Sequence, residues 1–263
     1  MKRVGNRAAD RMRKVTVTYN AFGQAPGNVL IELGNTKVLC SVSMQQHVPP
    51  FLKGTKTGWL TAEYSMLPMA TRIRVQRASS AVKKNSRSIE ISRLIGRSLR
   101  SIIKLEKFGE RTIIVDCDVL HADGSTRTAA ISGSYLALRQ AIQTWLYKGI
   151  LTGGSVEDYL VDGIAAVSVG IADGVALLDI NFAEDSQIDA DYNFVLTRSG
   201  SVIEIQGSSE KALVSWQQFD AMRTLAIKGV SQLFKEFERI SPEVKSRDKV
   251  SLFSLANRQK TLQ

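Results

Sequence analysis

Asp123-Gly124-Ser125-Thr126-Arg127 joins an apolar, strand-like run, RTIIVDCDVLHA (111–122), to a stretch with helical character. At such a junction the first four helical N–H groups have no intrahelical acceptor, and the helix dipole favours an anion. Ser125 and Thr126 would add hydroxyl donors and Arg127 a guanidinium fork, together making a phosphate cradle. The same residue types also form an ordinary helix cap. Arg87 opens the preceding helix-like segment. A second constellation is Asp179 and Asp185, in LLDINFAEDS. Asp179 interrupts an apolar strand, and a buried carboxylate needs a partner or a metal. On a straight strand the two carboxylates would stand about 20 Å apart at roughly 3.3 Å per residue. They share one ion only if the chain turns near Ala183–Glu184; otherwise Asp179 pairs with an arginine and Asp185 caps a turn. Asp116 and Asp118 alternate on one strand face and read as structural, bonding nearby loops or a basic helix.

The residues from Thr71 to Arg100 are the most polarised part of the chain. Arg72, Arg74, Arg77, Lys83, Lys84, Arg87, Arg93, Arg97 and Arg100 stand against a single acid, Glu90, in a protein of net charge +10. So one-sided a charge is either a solvated face or the footprint of a polyanion, for which RNA phosphates are suited. Two cysteines, Cys40 and Cys117, lie in apolar runs and read as small buried hydrophobes. Two histidines and two distant cysteines give no zinc spacing. No signal peptide or membrane-spanning run is apparent, so the expectation is a cytoplasmic, reduced protein.

The elements that must hold these residues can be read from periodicity. VTVTY (15–19) alternates, and 28–44 reads as two strands broken at Gly34–Asn35. Residues 47–68 are punctuated by proline and read as irregular. The first half of 71–100 reads as a loop. Its second half reads as a helix burying Ile89, Leu94, Ile95, Leu99, Ile102 and Ile103, with Gly109 as its terminator. A second helix runs from DGSTR to about Lys148. AAVSVGI and VALLDIN form a hairpin around Ala172-Asp173-Gly174, and YNFVLTR and SVIEIQG a further pair around Ser199-Gly200. An amphipathic helix over about 215–237 follows, and 241–263 is a polar tail.

Eight stretches in order carry a resemblance: GNTKVLC, VPPFLKG, GWLTAEYSMLP, SRSIEISRLIGRSLR, ERTIIVDCDVLHADGSTRTAAISG, AAVSVGI, LLDINFAEDS and IEIQGSSE. With them the chain, from about Arg7 to about Ile240, resembles the ribonuclease PH family. The resemblance implies an α/β (α+β) fold of the ribonuclease PH type, related to the second domain of ribosomal protein S5. It implies one domain over residues 1–240, with an N-terminal part over about 10–148 and a C-terminal part over about 160–240. It also implies a phosphate-dependent 3′→5′ exoribonuclease acting on tRNA precursors and other RNA, in which inorganic phosphate releases nucleoside diphosphates. Arg87, Gly124, Ser125, Thr126 and Arg127 would bind the attacking phosphate. Asp179 and Asp185 would be catalytic and hold Mg2+. Arg72, Arg74, Arg77, Lys83 and Lys84 would face RNA inside a homohexameric ring, a trimer of dimers.

The chain departs from the family pattern in places. Ser125 replaces a usual glycine; if that position needs positive φ, the serine costs on the order of 1 kcal/mol, unless its hydroxyl adds a phosphate bond. Ser86 precedes Arg87 where the family has glycine, Met69 stands where arginine is usual, and Asn6 looks inserted. Two alternatives compete: an inactive, RNA-binding ring subunit, which would have lost the cradle or the carboxylates, and a hydrolytic two-metal nuclease, which would carry a larger acidic cluster.

Overall fold

The computed structural model describes residues 3–77 and 85–240. Lys83, Lys84 and the tail from 241 lie outside them. Strands β1 (Val15–Tyr19), β2 (Gly27–Leu33) and β3 (Thr36–Gln45) form an antiparallel meander, because valines and isoleucines alternate with polar residues and Gly34, at positive φ, turns the hairpin. Strand β4 (Trp59–Met66) and β5 (Thr112–His121) complete a five-stranded sheet in the order β1-β2-β3-β5-β4, with β4 parallel to β5. The expectation of irregular chain over 47–68 is therefore corrected over its second half. Leu60, Ala62 and Tyr64 point inward and Thr61 and Glu63 outward, so the alternation is present between the flanking prolines.

Helix α1 (Ser86–Arg100) packs against β4. It ends earlier than its apolar periodicity suggests. Ile102 and Ile103 are buried beyond its last turn, whereas Ile89 is 43% exposed. Gly109, at φ 60°, closes a short 3-10 turn at Leu105–Phe108 instead of the helix.

Helix α2 (Thr126–Tyr147) is buried nearly all round. It lies on β2 and β3 on one side and on β6 (Ile164–Ala172) on the other, so two sheets share one helix. Small residues permit this. A Cβ on Gly133 would sit 2.7 Å from both Cys40 Sγ and Ile31 Cγ2. Cys40 and Cys117 are buried free thiols facing each other across β3 and β5, as expected of small apolar residues.

The second sheet has the order β7-β6-β8-β9, all antiparallel, with β7 at Val175–Leu178, β8 at Ala190–Thr197 and β9 at Val202–Ser209. Between β7 and β8 lies a single helical turn, α3 (Phe182–Asp185). Helix α4 (Trp216–Ile240) covers β6 and β7 through Met222, Ala226, Val230 and Leu233. No helix among the described residues is long and apolar enough to cross a membrane.

The second strand of the meander touches the central helix with no space to spare. A Cβ on Gly27 would lie 1.9 Å from the Ala137 carbonyl oxygen and 2.9 Å from Ala141 Cβ. Gly27→Ala is expected to destabilise the fold by about 1–3 kcal/mol. A thermal melt would register this as a midpoint lower by roughly 2–4 °C per kcal/mol; an unchanged midpoint would show that β2 and α2 can separate freely.

Candidate active site

Two consecutive left-handed residues deliver the chain from β5 into α2: Gly124 at φ 74° and Ser125 at φ 57°. Gly124 is required by contact as well as by conformation. A Cβ there would stand 2.6 Å from the Ile180 carbonyl oxygen and 2.8 Å from Asn181 Cα. Thr36, at the hairpin of β2 and β3, holds the loop by accepting from the Asp123 N–H (3.0 Å) and donating to the Gly124 carbonyl (2.6 Å). Residue 125 does take positive φ, and its hydroxyl is engaged by neighbouring protein groups. Ser125 Oγ lies 2.7 Å from Ser168 Oγ, 3.0 Å from the Ile180 carbonyl oxygen and 3.2 Å from Asp179 Oδ1. Those bonds offset the strain of the left-handed serine. Thr126 is also turned inward, its hydroxyl accepting from Tyr64 Oη at 2.9 Å, and burial pushes the Tyr64 phenol up to about 12. What the DGSTR junction presents outward is its first-turn N–H groups and the Arg127 guanidinium.

Arg127 reaches across to Gln206 Oε1 on β9 (2.9 Å) and Glu90 on α1 (3.4 Å). Arg87 is exposed in the first turn of α1, whose Asn85 cap accepts from the Arg87 N–H at 2.9 Å. Both guanidiniums act on Asp185, and Arg127 also acts on Asp191. Partial desolvation and Glu210 push the Asp185 carboxyl up, against the pull of Arg87 and Arg127. Asp191, the second residue of β8, is pushed up to about 6, first by burial and then by Asp185, with Arg127 opposing. The site therefore brings together Arg87, Arg127, Asp185 and Asp191 from α1, α2, α3 and β8. Asp191 was not singled out in the sequence. Its signal was an acid in the apolar run ADYNFVL, six residues beyond Asp185.

Asp179 pairs with arginines, one of the alternatives its place in an apolar strand left open. Strand β7 stops at Leu178 because Asp179 takes φ 56°. The chain then turns, as sharing an ion would require, but through the Asn181 cap into α3, where Asn181 and Glu184 form a reciprocal capping box. The Asp179 carboxylate is buried and saturated. Oδ2 accepts from the Arg13 N–H (2.7 Å), Arg13 Nε (2.9 Å) and Arg7 Nη1 (3.0 Å), and Oδ1 from Arg13 Nη2 (2.6 Å). Beside it Glu184 receives Arg3 Nε and Nη2, each at 2.9 Å, and Arg7 Nη2 at 2.9 Å. Burial pushes both carboxyls up, but the arginines outweigh it and hold Asp179 and Glu184 below the usual range. Arg7, Arg13 and Ser125 together engage both Asp179 oxygens.

The other sequence-derived positions are dispersed. Arg72, Arg74 and Arg77 are exposed, with the Arg72 guanidinium 5.4 Å over the Phe182 ring. Asp116 and Asp118, expected to bond to loops or the basic helix, share a half-buried sheet face with Glu63. Burial, and at Asp116 the neighbouring Glu63 and Asp118, push them up. No group of three or more His, Cys, Asp or Glu side chains among the described residues is arranged to hold a metal ion.

Comparison with known proteins supplies the context for this geometry. Residues 11–142 match the model for domain 1 of the 3′ exoribonuclease family, and residues 162–229 match domain 2. The chain is 47% identical over 230 residues to ribonuclease PH of Neisseria meningitidis serogroup C, covering 88% of this chain and 93% of that protein. It is 46% identical, with the same coverage, to ribonuclease PH of Neisseria gonorrhoeae. Among solved structures, an Archaeoglobus fulgidus exosome with RNA bound to the active site superposes with a TM-score of 0.74 at 22% identity, covering 90% of this chain and 92% of that one. Rice Rrp46 superposes with a TM-score of 0.69 at 19% identity, covering 89% and 96%.

The contrast between the acids is testable through stability. Asp179→Asn leaves the buried Arg13 without its close counter-charge and Arg7 with Glu184 alone, and is expected to cost about 3–5 kcal/mol in urea unfolding at pH 7.5. The Asp179 contribution is full above the unfolded carboxyl value and fades as pH falls through its depressed folded value. Asp191 has the opposite sign. Its folded value is raised to about 6, so stability present in acid is lost as pH rises through that value. Asp191→Asn should therefore stabilise the protein at pH 7.5, on the order of 1–2 kcal/mol, with the gain vanishing below about pH 4. Opposite pH profiles are the result to look for; parallel profiles would mean the two carboxyls share one environment.

Proposed function

The chain belongs to the 3′ exoribonuclease family, and on that premise we propose that Arg87, Arg127, Asp185 and Asp191 are the residues that run its reaction. The protein is a phosphorolytic 3′→5′ exoribonuclease of the ribonuclease PH type, a phosphate-dependent nucleotidyltransferase. Inorganic phosphate attacks the last phosphodiester of an RNA 3′ end, such as that of a tRNA precursor. The bond to the penultimate 3′ oxygen breaks, that oxygen takes a proton, and the terminal nucleotide leaves as a nucleoside diphosphate.

The observation that carries the residue assignment is the meeting of two guanidiniums with two neighbouring acids, Arg87 and Arg127 acting on Asp185 and Arg127 on Asp191. Phosphate and RNA are both anions, and their approach requires fixed positive charge. Arg87, Arg127 and the first-turn N–H groups of α2 supply it, the latter without spending the Ser125 or Thr126 hydroxyls. Asp191, poised near 6, can hand a proton to the departing 3′ oxygen close to neutral pH. Asp185, the more exposed acid, offers hard oxygens of the kind Mg2+ accepts alongside water and phosphate oxygens. Bound there, the ion would offset charge on the phosphoryl group. Asp179, in this reading, holds the turn and takes no part in the chemistry.

The exposed Arg72, Arg74 and Arg77, with Lys83 and Lys84 from the adjoining segment, form the RNA path. A homohexamer, a trimer of dimers, would gather these basic segments around one opening, in a cytoplasmic enzyme. The inactive-subunit alternative is disfavoured because both arginines and both acids are retained.

Incubating the protein with a 3′-extended tRNA should release nucleoside diphosphates only when phosphate is supplied; monophosphates released without it would point to hydrolysis. Arg87→Ala and Arg127→Ala should each raise the KM for phosphate roughly 10- to 100-fold, the worth of a charge-assisted hydrogen bond. Asp185→Asn and Asp191→Asn should lower kcat by about 10²- to 10⁴-fold while RNA binding persists. Near-normal turnover in either acid variant would remove that residue from the chemistry. For the RNA path, replacing Arg72, Arg74 and Arg77 by Gln should reduce the slope of log affinity against log salt by about 0.7 for each RNA phosphate that is no longer neutralised. An unchanged slope would make these arginines solvated surface.

A further inference from the structure

A cavity of about 260 Å³ opens beside the start of α2, where β5 and the β2–β3 hairpin end. Asn35, His121 and Asp123 supply polar edges, and Met69, Arg72 and Phe182 supply the walls. None of the four groups proposed for the chemistry lines it. It is nevertheless tied to them through α3. Phe182 and Asp185 are three residues apart in a single helical turn, so their side chains emerge on the same side.

Phe182 has no role in the core. Its ring is 48% exposed, and Met69 across the cavity is 67% exposed. The platform is firmly mounted all the same. The Phe182 N–H donates to Asp123 Oδ1 at 3.4 Å, and Asp123 Oδ2 accepts from Asn35 Nδ2 at 3.2 Å. The backbone just before it, at Ile180 and Asn181, is pressed against Gly124. An exposed, anchored aromatic face with a guanidinium 5.4 Å above it is how proteins stack unpaired bases, which aromatic and arginine planes both accept.

We propose that this cavity is a nucleobase subsite. One unpaired base of the RNA, within a few nucleotides of its 3′ end, stacks on Phe182 in the place Arg72 now covers. Asn35 and His121 meet its edge, and Arg72 is released to a strand phosphate. The proposal rests on RNA being the substrate of the adjoining site. Because every base has a π-face, the subsite tolerates sequence and favours purines, which stack most strongly. It holds single-stranded 3′ ends, since a paired base cannot turn its face to the ring.

The full chain and short unstructured oligoribonucleotides, each with 2-aminopurine at one position from the 3′ end, test this by fluorescence without phosphate. Quenching should be strongest at one position, be lost in Phe182→Leu, and be restored in Phe182→Tyr and Phe182→Trp. With phosphate added, Phe182→Leu should raise the KM for the oligonucleotide roughly 5- to 100-fold, with kcat and the KM for phosphate within about two-fold. Wild-type quenching and wild-type KM in Phe182→Leu would overturn the subsite even if phosphorolysis is intact. Position-specific quenching without release of nucleoside diphosphate would sink the phosphorolytic assignment and leave the subsite standing.

Discussion

Five charges withdrawn from water hold the catalytic half of this molecule in shape. Arg3, Arg7 and Arg13, from the segment before β1, close on Asp179 and Glu184, from the turn after β7. Such groups are expensive to bury singly and tolerable only when each hydrogen bond is made. Here Arg3 also caps the Leu178, Asp179, Ala8 and Ala9 carbonyls, and the Leu178 N–H returns a bond to Ala9 at 2.8 Å. The network dictates where α3 begins. Asp179 must leave the strand at positive φ to meet Arg13, and Glu184 must face inward to meet Arg3. Phe182 and Asp185, on the same single turn, are then left facing outward.

The opposite wall of the site is fixed to the same turn. Gly124 abuts Ile180 and Asn181, Ser125 bonds to Asp179 and Ile180, and Arg13 donates to the Asp123 carbonyl. The start of α2 and the start of α3 therefore form one packed unit. A cation cluster and an acid pair would repel their own kind if left to loops; mounted on a common buried frame, each is held against the other. The inward Ser125 and Thr126 hydroxyls belong to this frame. The Arg127 side chain, on the first turn of the buried helix α2, instead reaches across to Gln206 and Glu90.

Much of this was legible in the residues, and the exceptions have physical causes. Hairpins announced by Gly34–Asn35 and Asp173–Gly174 formed where local turn chemistry demands them, and α2 began at the Ser125–Thr126 cap. The resemblance of the motifs correctly implied the family. Strand β4 was obscured because it pairs in parallel with a distant strand and is flanked by prolines, so no local hairpin signal marks it. The acids were harder. Asp179, Asp185 and Asp191 recur at intervals of six, and spacing gives no reason to prefer the first pair over the second. What separates them is the N-terminal trio of arginines, some 170 residues away in the chain. In sequence those arginines are merely part of a basic leader.

The three acids show how environment assigns roles to one residue type. Asp179 is the most deeply buried and the most strongly paired, so it remains charged. Asp191 is half-buried beside a like charge with no guanidinium bonded to it, so its carboxyl is held near 6. Asp185 is the most exposed of the three, under the field of Arg87 and Arg127. A raised carboxyl costs the fold stability at neutral pH, at Asp191 as at Asp116 and Asp118. Burial alone would have marked Asp179 as the functional acid. Its oxygens are taken up by Arg7 and Arg13, whereas burial and neighbouring acids hold the Asp185 and Asp191 carboxyls up, a crowding of like charge that a cation or a proton relieves.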